Sequence, residues 1–346
     1  MATGSAKGKV LLTGGSGFIA SHILDALLDA GFQVIVTTRS DEKGRRIVEA
    51  VNPSQQDAVT YAIVENIAKD GAFDVVFKQD PSIDYVVHTA SPYSLVVDDP
   101  IKEFLDPAIK GTVGVLKSAK AYAPGVKRIV ITSSSAAMLN FENHEKVYNE
   151  THWAPLTWED AMDPGKTYRA SKVLSEKAAW AFVAEEKPNF DLVVINNTYT
   201  FGPVQGSLPS LEAVNTSNHI IRDLISGKLK EALRPTAPVF TWVDVRDVTL
   251  AHVRALMLPG AGGNRFYVVG GHYSTKRVAD IIRSRYPELA AKLPPAEVED
   301  DFPDDVYGFD NSKSRQVLGL EYRGLEESVV DTVESILKLV ERLKRG

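Results

Sequence analysis

Through the first two hundred positions, short β-branched runs alternate with segments whose apolar residues recur every three or four positions. KVLLT (9–13), QVIVTT (33–38), YAIVE (61–65), YVVHTA (85–90), RIVITSS (128–134) and DLVVINN (191–197) read as strands. Their near-continuous hydrophobicity is that of strands buried on both faces. The gaps carry helical periodicity, as in FIASHILDALLDAG, whose apolar stripe ends at Gly31. Strands and helices in strict alternation predict an α/β fold, a doubly wound parallel sheet, with ligands bound at the carboxyl ends of the strands.

After Asn197 the rhythm breaks. VFTWVDVRDVTLAHVRAL (239–256) reads as a strand, a turn and a helix, and NRFYVVGG (264–271) as one more strand. ELAAKLPPAEVEDDFPDD (288–305) reads as a surface loop, and LEESVVDTVESILKLVERL (325–343) as a final helix. The pattern assigns 1–197 plus 237–270 to the sheet domain. It assigns 198–236 plus 271–346 to a smaller, interleaved C-terminal substrate domain.

Composition narrows the classes. The 346 residues are 44% hydrophobic and 24% charged, as in an ordinary globular protein. With no cysteine there is no disulfide framework, thiolate metal site or cysteine nucleophile, and no metal is expected. A net charge of −6 gives no reason to expect nucleic acid or an anionic membrane as partner. The basic clusters Arg45-Arg46 and KLVERLKRG read as solvated helix faces. MATGSAKGK lacks the apolar core of a secretory signal, and no run of about 18 apolar residues follows, so the expectation is a cytoplasmic protein. The acceptor patterns at Asn149 and Asn196 are then chance matches.

TGGSGFIA (13–20) joins the first strand to the first helix. Gly14, Gly15 and Gly17 let the backbone turn tightly and approach a pyrophosphate, whose charge sits on the helix N-terminus. In this context the turn predicts a Rossmann-type dinucleotide site. The second strand ends Thr37-Thr38-Arg39-Ser40, where NAD sites usually carry an acid for the ribose 2′-hydroxyl. A guanidinium instead suits a 2′-phosphate, so Arg39, with Lys43 nearby, points to NADP.

TYRASK (167–172) places Tyr168 and Lys172 four apart, on one face of a helix. Of the twelve tyrosines only Tyr168 has a lysine at that spacing, and Ser133, Ser134 and Ser135 end a predicted strand upstream on the same sheet edge. TGGSGFIA, Ser134 and Tyr168-x-x-x-Lys172 together resemble an extended short-chain dehydrogenase/reductase. HTASP (88–92), AFDVVF (72–77), ITSSSAA (131–137), FGP (201–203) and VDVRDV (243–248) narrow the resemblance to the fungal NADPH-dependent methylglyoxal and isovaleraldehyde reductases, with plant dihydroflavonol reductases as relatives. It extends over almost the whole chain and is strongest in the first 205 residues.

The resemblance implies reduction of an aldehyde or ketone by hydride transfer from NADPH. Tyr168 would give the proton to the carbonyl oxygen. A free phenol, with a pKa near 10, is too weak an acid for neutral operation until a nearby cation lowers it. Lys172 would be that cation and would also hold the nicotinamide ribose. Ser134 would donate a hydrogen bond to the oxygen as negative charge develops. By position, Gly14, Ser16, Gly17, Phe18 and Ile19 would hold the pyrophosphate, and Asn66 and Ile67 the adenine. Thr89, Ala90, Ser91 and Thr132 would lie along the dinucleotide, Thr198 beside the carboxamide, and Ser217 at a helix start able to meet a phosphate.

Three positions depart from the family. Asn197 stands where a proline is common, Asn66 replaces an acid, and Ala108 replaces the asparagine that often extends the proton relay. Tyr93, Leu95, Leu139, Phe141, Tyr199 and Val204 are the candidate pocket, mostly apolar or aromatic, which favours an uncharged carbonyl substrate. An NAD-retaining sugar-nucleotide epimerase and a non-catalytic NADP-sensing regulator are the competing readings, and a homodimer is left open.

Overall fold

A computed structural model describes residues 7–91 and 99–345. Seven strands, β1 (Lys9–Thr13), β2 (Gln33–Thr38), β3 (Val59–Ile63), β4 (Tyr85–His88), β5 (Arg128–Thr132), β7 (Asp191–Asn197) and β10 (Asn264–Val268), form one sheet ordered β10-β7-β5-β4-β1-β2-β3. Every pair in it is parallel. The order reverses between β1 and β4, so the carboxyl ends of these two strands open the crevice in which such sheets bind ligands.

Period-two alternation divides the sheet residues between two cores. Val10, Leu12, Val34, Val36, Val130 and Ile195 face one side, against α1 (Phe18–Asp29) and α7 (Val245–Met257). Leu11, Ile35, Val86, Ile129, Ile131 and Val194 face the other, against α3 (Asp74–Gln79), α4 (Asp106–Tyr122) and α5 (Thr167–Glu186). Because both faces are covered, the middles of the strands are mostly apolar and polar residues gather toward their ends, which makes the strands legible as apolar runs. The remaining helix of this half, α2 (Asp41–Ala50), follows β2.

A second, three-stranded sheet is made of β8 (Tyr199–Phe201), β9 (Thr241–Asp244) and β11 (Gly271–His272), with β9 central. Around it Phe201, Ile221, Leu224, Trp242, Tyr273 and Val333 join a separate core shared by α6 (His219–Ser226), α8 (Thr275–Arg285) and α10 (Leu325–Arg345). A two-stranded pair, β6 (Val147–Tyr148) with β12 (Gly308–Phe309), and α9 (Ser312–Leu318) complete the elements.

Five expectations need correction. The third strand lies at Val59–Ile63 and not 61–65, because its register on β2 pairs Val34 with Val59 and Thr38 with Ile63. The fourth and fifth strands end at His88 and Thr132, short of the polar residues read into them, which leave the sheet to form its ligand edge. No turn separates β9 from α7: Asp244 ends the strand and caps the helix, its carboxylate accepting from the Arg246 N–H at 2.8 Å. The supposed loop at 288–305 begins inside a 3-10 turn over Pro287–Lys292, which buries Leu289 and Leu293 against the C-terminal core.

His252 on α7 is fully buried, its Nδ1 2.7 Å from the Val248 carbonyl and its Nε2 2.7 Å from Thr132 Oγ1. A carbonyl beside Nδ1 fixes the proton there, so Nε2 accepts from the hydroxyl. Burial pushes its pKa down to about 4, against the pull of the Val248 carbonyl. The unfolded chain therefore takes up this proton first, and stability that is full above pH 6.5 declines as pH falls toward 4. From this group the decline amounts to about 3 kcal/mol. Urea unfolding measured from pH 7 to 4 should show it, with a shallower slope in a His252→Asn variant.

Candidate active site

The glycine turn after β1 is shaped by close approach. Gly14 has φ +71°, and a Cβ on it would stand 2.9 Å from the Ala90 Cα; one on Gly15 would stand 1.9 Å from Val36 Cγ1. Only glycine fits either position without displacing β2 or the segment after β4. Gly17 is the N-cap of α1, with no side-chain hydrogen bond to the cap and no acid in the first turn. Ser16 and Gly17 are exposed, with Phe18 and Ile19 half-buried. The positive end of the α1 dipole is thus left uncompensated at the crevice, a fit for a pyrophosphate.

Arg39, directly after β2, is exposed, and among the described residues no carboxylate pairs with it. Its acidic neighbours are committed elsewhere: Asp41 to Arg45 at 3.0 Å and Glu42 to Arg46 at 2.6 Å. Lys43 is exposed in the first turn of α2, which Ser40 caps. Two cations are therefore available beside the crevice for a phosphate.

The remaining expected cofactor residues lie at the same edge, and several have their polar groups engaged within the protein. Thr89 Oγ1 donates to the Thr13 carbonyl at 2.5 Å, and the Ala90 N–H donates to Thr13 Oγ1 at 3.2 Å, with Ser91 next in the chain. Asn66 is exposed and accepts from the Ala68 N–H at 2.9 Å. Ile67 packs so near Gly111 that a Cβ there would be 2.9 Å away. The Thr132 hydroxyl is held by His252, and that of Thr198 by Thr241 at 2.7 to 2.8 Å. Ser217 sits in a 3-10 turn ahead of α6 and donates to the Thr200 carbonyl at 2.5 Å, so its hydroxyl is tied to the protein and α6 begins later, at His219.

Ser134 follows β5 as the cap of a short turn, accepting from the Ala136 N–H at 3.1 Å. Tyr168 stands in the first turn of α5, and Lys172 Nζ lies 5.9 Å from its ring centroid. The ammonium is buried, 7% exposed. Loss of hydration pushes its pKa down to about 8, while the Glu176 carboxylate pulls it back up. A small cavity, with room for about one water, separates Lys172 from β4 and α4; His88, Thr112, Ser133, Ser175 and Glu176 line it. His88 Nδ1 bonds Thr13 Oγ1 at 2.9 Å, and its buried Nε2 has no partner. Burial first and the Lys172 charge second push this imidazole down to about 3, so it is neutral.

Of the expected pocket, Tyr93 and Leu95 lie outside the described residues. Leu139 and Val204 are core residues, 0% and 7% exposed. Phe141 is half-buried beneath the Arg169 guanidinium, 3.7 Å from its ring centroid, and Tyr199 stacks on Tyr273 at 5.5 Å. Arg169 escaped sequence reading because the residue after Tyr168 points some 100° away on an ideal helix. Glu176 also escaped, although its place on the Tyr168/Lys172 stripe was a usable signal. Ala108 is buried on α4 and supplies no side-chain relay group.

Comparison with known proteins converges on one family. The family model for the NAD dependent epimerase/dehydratase family matches residues 10–270. The ketoreductase azaE of Aspergillus niger is 56% identical, over 97% of this chain and 99% of its own. The NADPH-dependent methylglyoxal reductase of Saccharomyces cerevisiae is 35% identical, over 96% and 99%. The crystal structure of Gre2 from Candida albicans in complex with NADPH superposes with a TM-score of 0.88 at 36% identity, covering 96% of this chain and 99% of that one.

A methyl group at Gly14 should be costly in both ways its surroundings imply, through the positive φ and through the Ala90 backbone. Gly14→Ala is expected to lose about 1–3 kcal/mol of stability, read as a fall in melting temperature, whereas Gly114→Ala, with open space around it, should not.

Proposed function

The chain belongs to the NAD dependent epimerase/dehydratase family, as an extended short-chain dehydrogenase/reductase, and from that premise we propose that it is an NADPH-dependent reductase of uncharged aldehydes and ketones. The observation that carries this reading is the buried Lys172 ammonium one helical turn from the Tyr168 phenol, on the sheet edge that ends in Ser134. The close fungal relatives are named as ketoreductases and NADPH-dependent methylglyoxal reductases.

Reduction adds a hydride to the carbonyl carbon and a proton to its oxygen. Bound NADPH supplies the hydride. Tyr168 supplies the proton, and Lys172 stabilises the phenolate left behind. Ser134 donates a hydrogen bond to the oxygen as charge develops on it. The α1 N-terminus with Gly14, Ser16, Gly17, Phe18 and Ile19 would hold the pyrophosphate, and Arg39 with Lys43 the 2′-phosphate. Asn66 and Ile67 would border the adenine, with Thr89, Ala90, Ser91, Thr132, Thr198 and Ser217 along the remainder. Since the Thr89, Thr132, Thr198 and Ser217 hydroxyls are engaged within the protein, these residues would contribute through backbone and shape.

In this reading 1–197 plus 237–270 carries the dinucleotide and 198–236 plus 271–346 the substrate, with Phe141 and Tyr199 toward the carbonyl compound. Leu139 and Val204, buried in the core, would shape the pocket from behind. Among the described residues, no helix is long and apolar enough to cross a membrane. The epimerase alternative is less favoured: a UDP-glucose 4-epimerase matches at 22% identity, a likeness of fold alone, and Arg39 stands where NAD sites usually place an acid.

Tyr168→Phe should lower kcat by about 10²–10⁴ with NADPH binding retained, as followed by nicotinamide fluorescence; a fully active variant would overturn the proton-donor role. Arg39→Gln should raise KM for NADPH by about 10- to 100-fold and leave that for NADH nearly unchanged.

A further inference from the structure

The stripe begun by Tyr168 and Lys172 continues on α5 to Glu176, which is 1% exposed. A carboxylate so buried persists only where hydrogen bonds and an opposite charge replace its water. Here Oε2 accepts from Ser133 Oγ at 2.5 Å and from Asn196 Nδ2 at 2.8 Å. Oε1 accepts from Arg265 Nε at 2.6 Å and from Trp180 Nε1 at 3.5 Å. Arg265, on β10, is itself fixed by the carbonyls of Glu150 and His152 at 2.6 and 2.8 Å, and by the face of Trp153 3.7 Å away. Asn196, on β7, also donates to the Ser134 carbonyl at 3.3 Å. One carboxylate thus ties the helix of Tyr168 and Lys172 to the strand-end loop of Ser134.

Among the described residues, the titratable groups around Lys172 are few. Tyr168 and Glu176 flank it on its own helix, His88 faces it neutral from β4, and Arg265 stands behind Glu176 from β10. Glu176 is therefore the carboxylate that opposes the burial of the Lys172 charge. Arg265 draws on the same carboxylate from the other side.

Resting on the carbonyl-reductase reading, we propose that Glu176 is a positioning residue for this site: it holds the Ser134 loop in register with the Tyr168 helix and stabilises the Lys172 ammonium, with Arg265 setting how much of its charge Lys172 feels. The two partners then act with opposite sign. Removing the carboxylate disfavours the lysine's charged form, whereas removing the guanidinium favours it.

The test compares Glu176→Gln, Arg265→Gln and the double variant with the wild type. It uses pH profiles of kcat and KM with NADPH and a small uncharged ketone, and a ¹³C-lysine NMR titration without nucleotide. In Glu176→Gln, kcat should fall at least tenfold with KM for NADPH little changed. The alkaline limb and the Lys172 titration should both move down by roughly one pH unit. In Arg265→Gln both should move up. The double variant, which removes the buried carboxylate and its guanidinium partner together, should fall between the wild type and Glu176→Gln, and it carries the test if either single variant does not fold. Limbs and titrations that stay at the wild-type position while only melting temperatures change would make Glu176 purely structural and overturn the proposal. A wild-type protein that reduces no carbonyl would instead refute the functional reading, and the NMR titration would still decide the role of Glu176.

Discussion

The site depends on keeping a positive charge where little water can reach it. Lys172 is nearly buried, and an ammonium in that position tends to release its proton. Its surroundings meet this in two ways: a carboxylate one turn along the same helix supports the charge, and the neighbouring imidazole stays neutral and adds no repulsion. A lysine poised near neutrality can influence a neighbouring phenol strongly, whereas one in open water would be screened. The geometry around Tyr168 is in this sense subordinate to the electrostatics of Lys172.

The sheet supplies the framework that makes such a charge tolerable. Because its strands are covered on both faces, their apolar runs end abruptly, and polar residues collect where the chain leaves the sheet at Thr13, Thr38, His88, Thr132 and Asn197. Polar groups clustered there find one another: Thr13 bonds His88, Thr132 bonds His252, and Ser133 and Asn196 share Glu176. The ligand edge of the fold is thus cross-linked by side-chain hydrogen bonds, which is what preorganised catalysis requires.

Much of this was legible from local pattern. The first, second and last of the six early strands match their apolar runs residue for residue, because a strand buried on both faces leaves a continuous signature. The glycine turn was legible for a similar reason, since positions 14 and 15 admit no side chain. What escaped depends on distant partners. Val59 belongs to β3 through its register on β2, and Leu139 is core because it joins a cluster with Phe240, Tyr267 and Tyr307, all distant in the chain. The Glu176 network joins the segment after β5 to β7, β10 and α5, and no spacing along the chain brings Arg265 to Glu176.

Asn197 shows how a departure from a family pattern can be absorbed. A proline at the end of that strand would stiffen the following loop by fixing φ. Asn197 instead donates from Nδ2 to Thr200 Oγ1 at 3.0 Å and to the Thr198 carbonyl at 3.4 Å; Thr200 Oγ1 in turn donates to that same carbonyl at 2.8 Å. Thr198 is anchored independently to Thr241 on β9. The loop is therefore cross-linked by side chains in place of a ring, and β8 can pair directly with β9, Tyr199 opposite Trp242. Rigidity from hydrogen bonds differs from rigidity from proline in one respect: it is cooperative. Loss of any one of these threonines would loosen the loop as a whole, and with it the register that sets Tyr199 opposite Trp242.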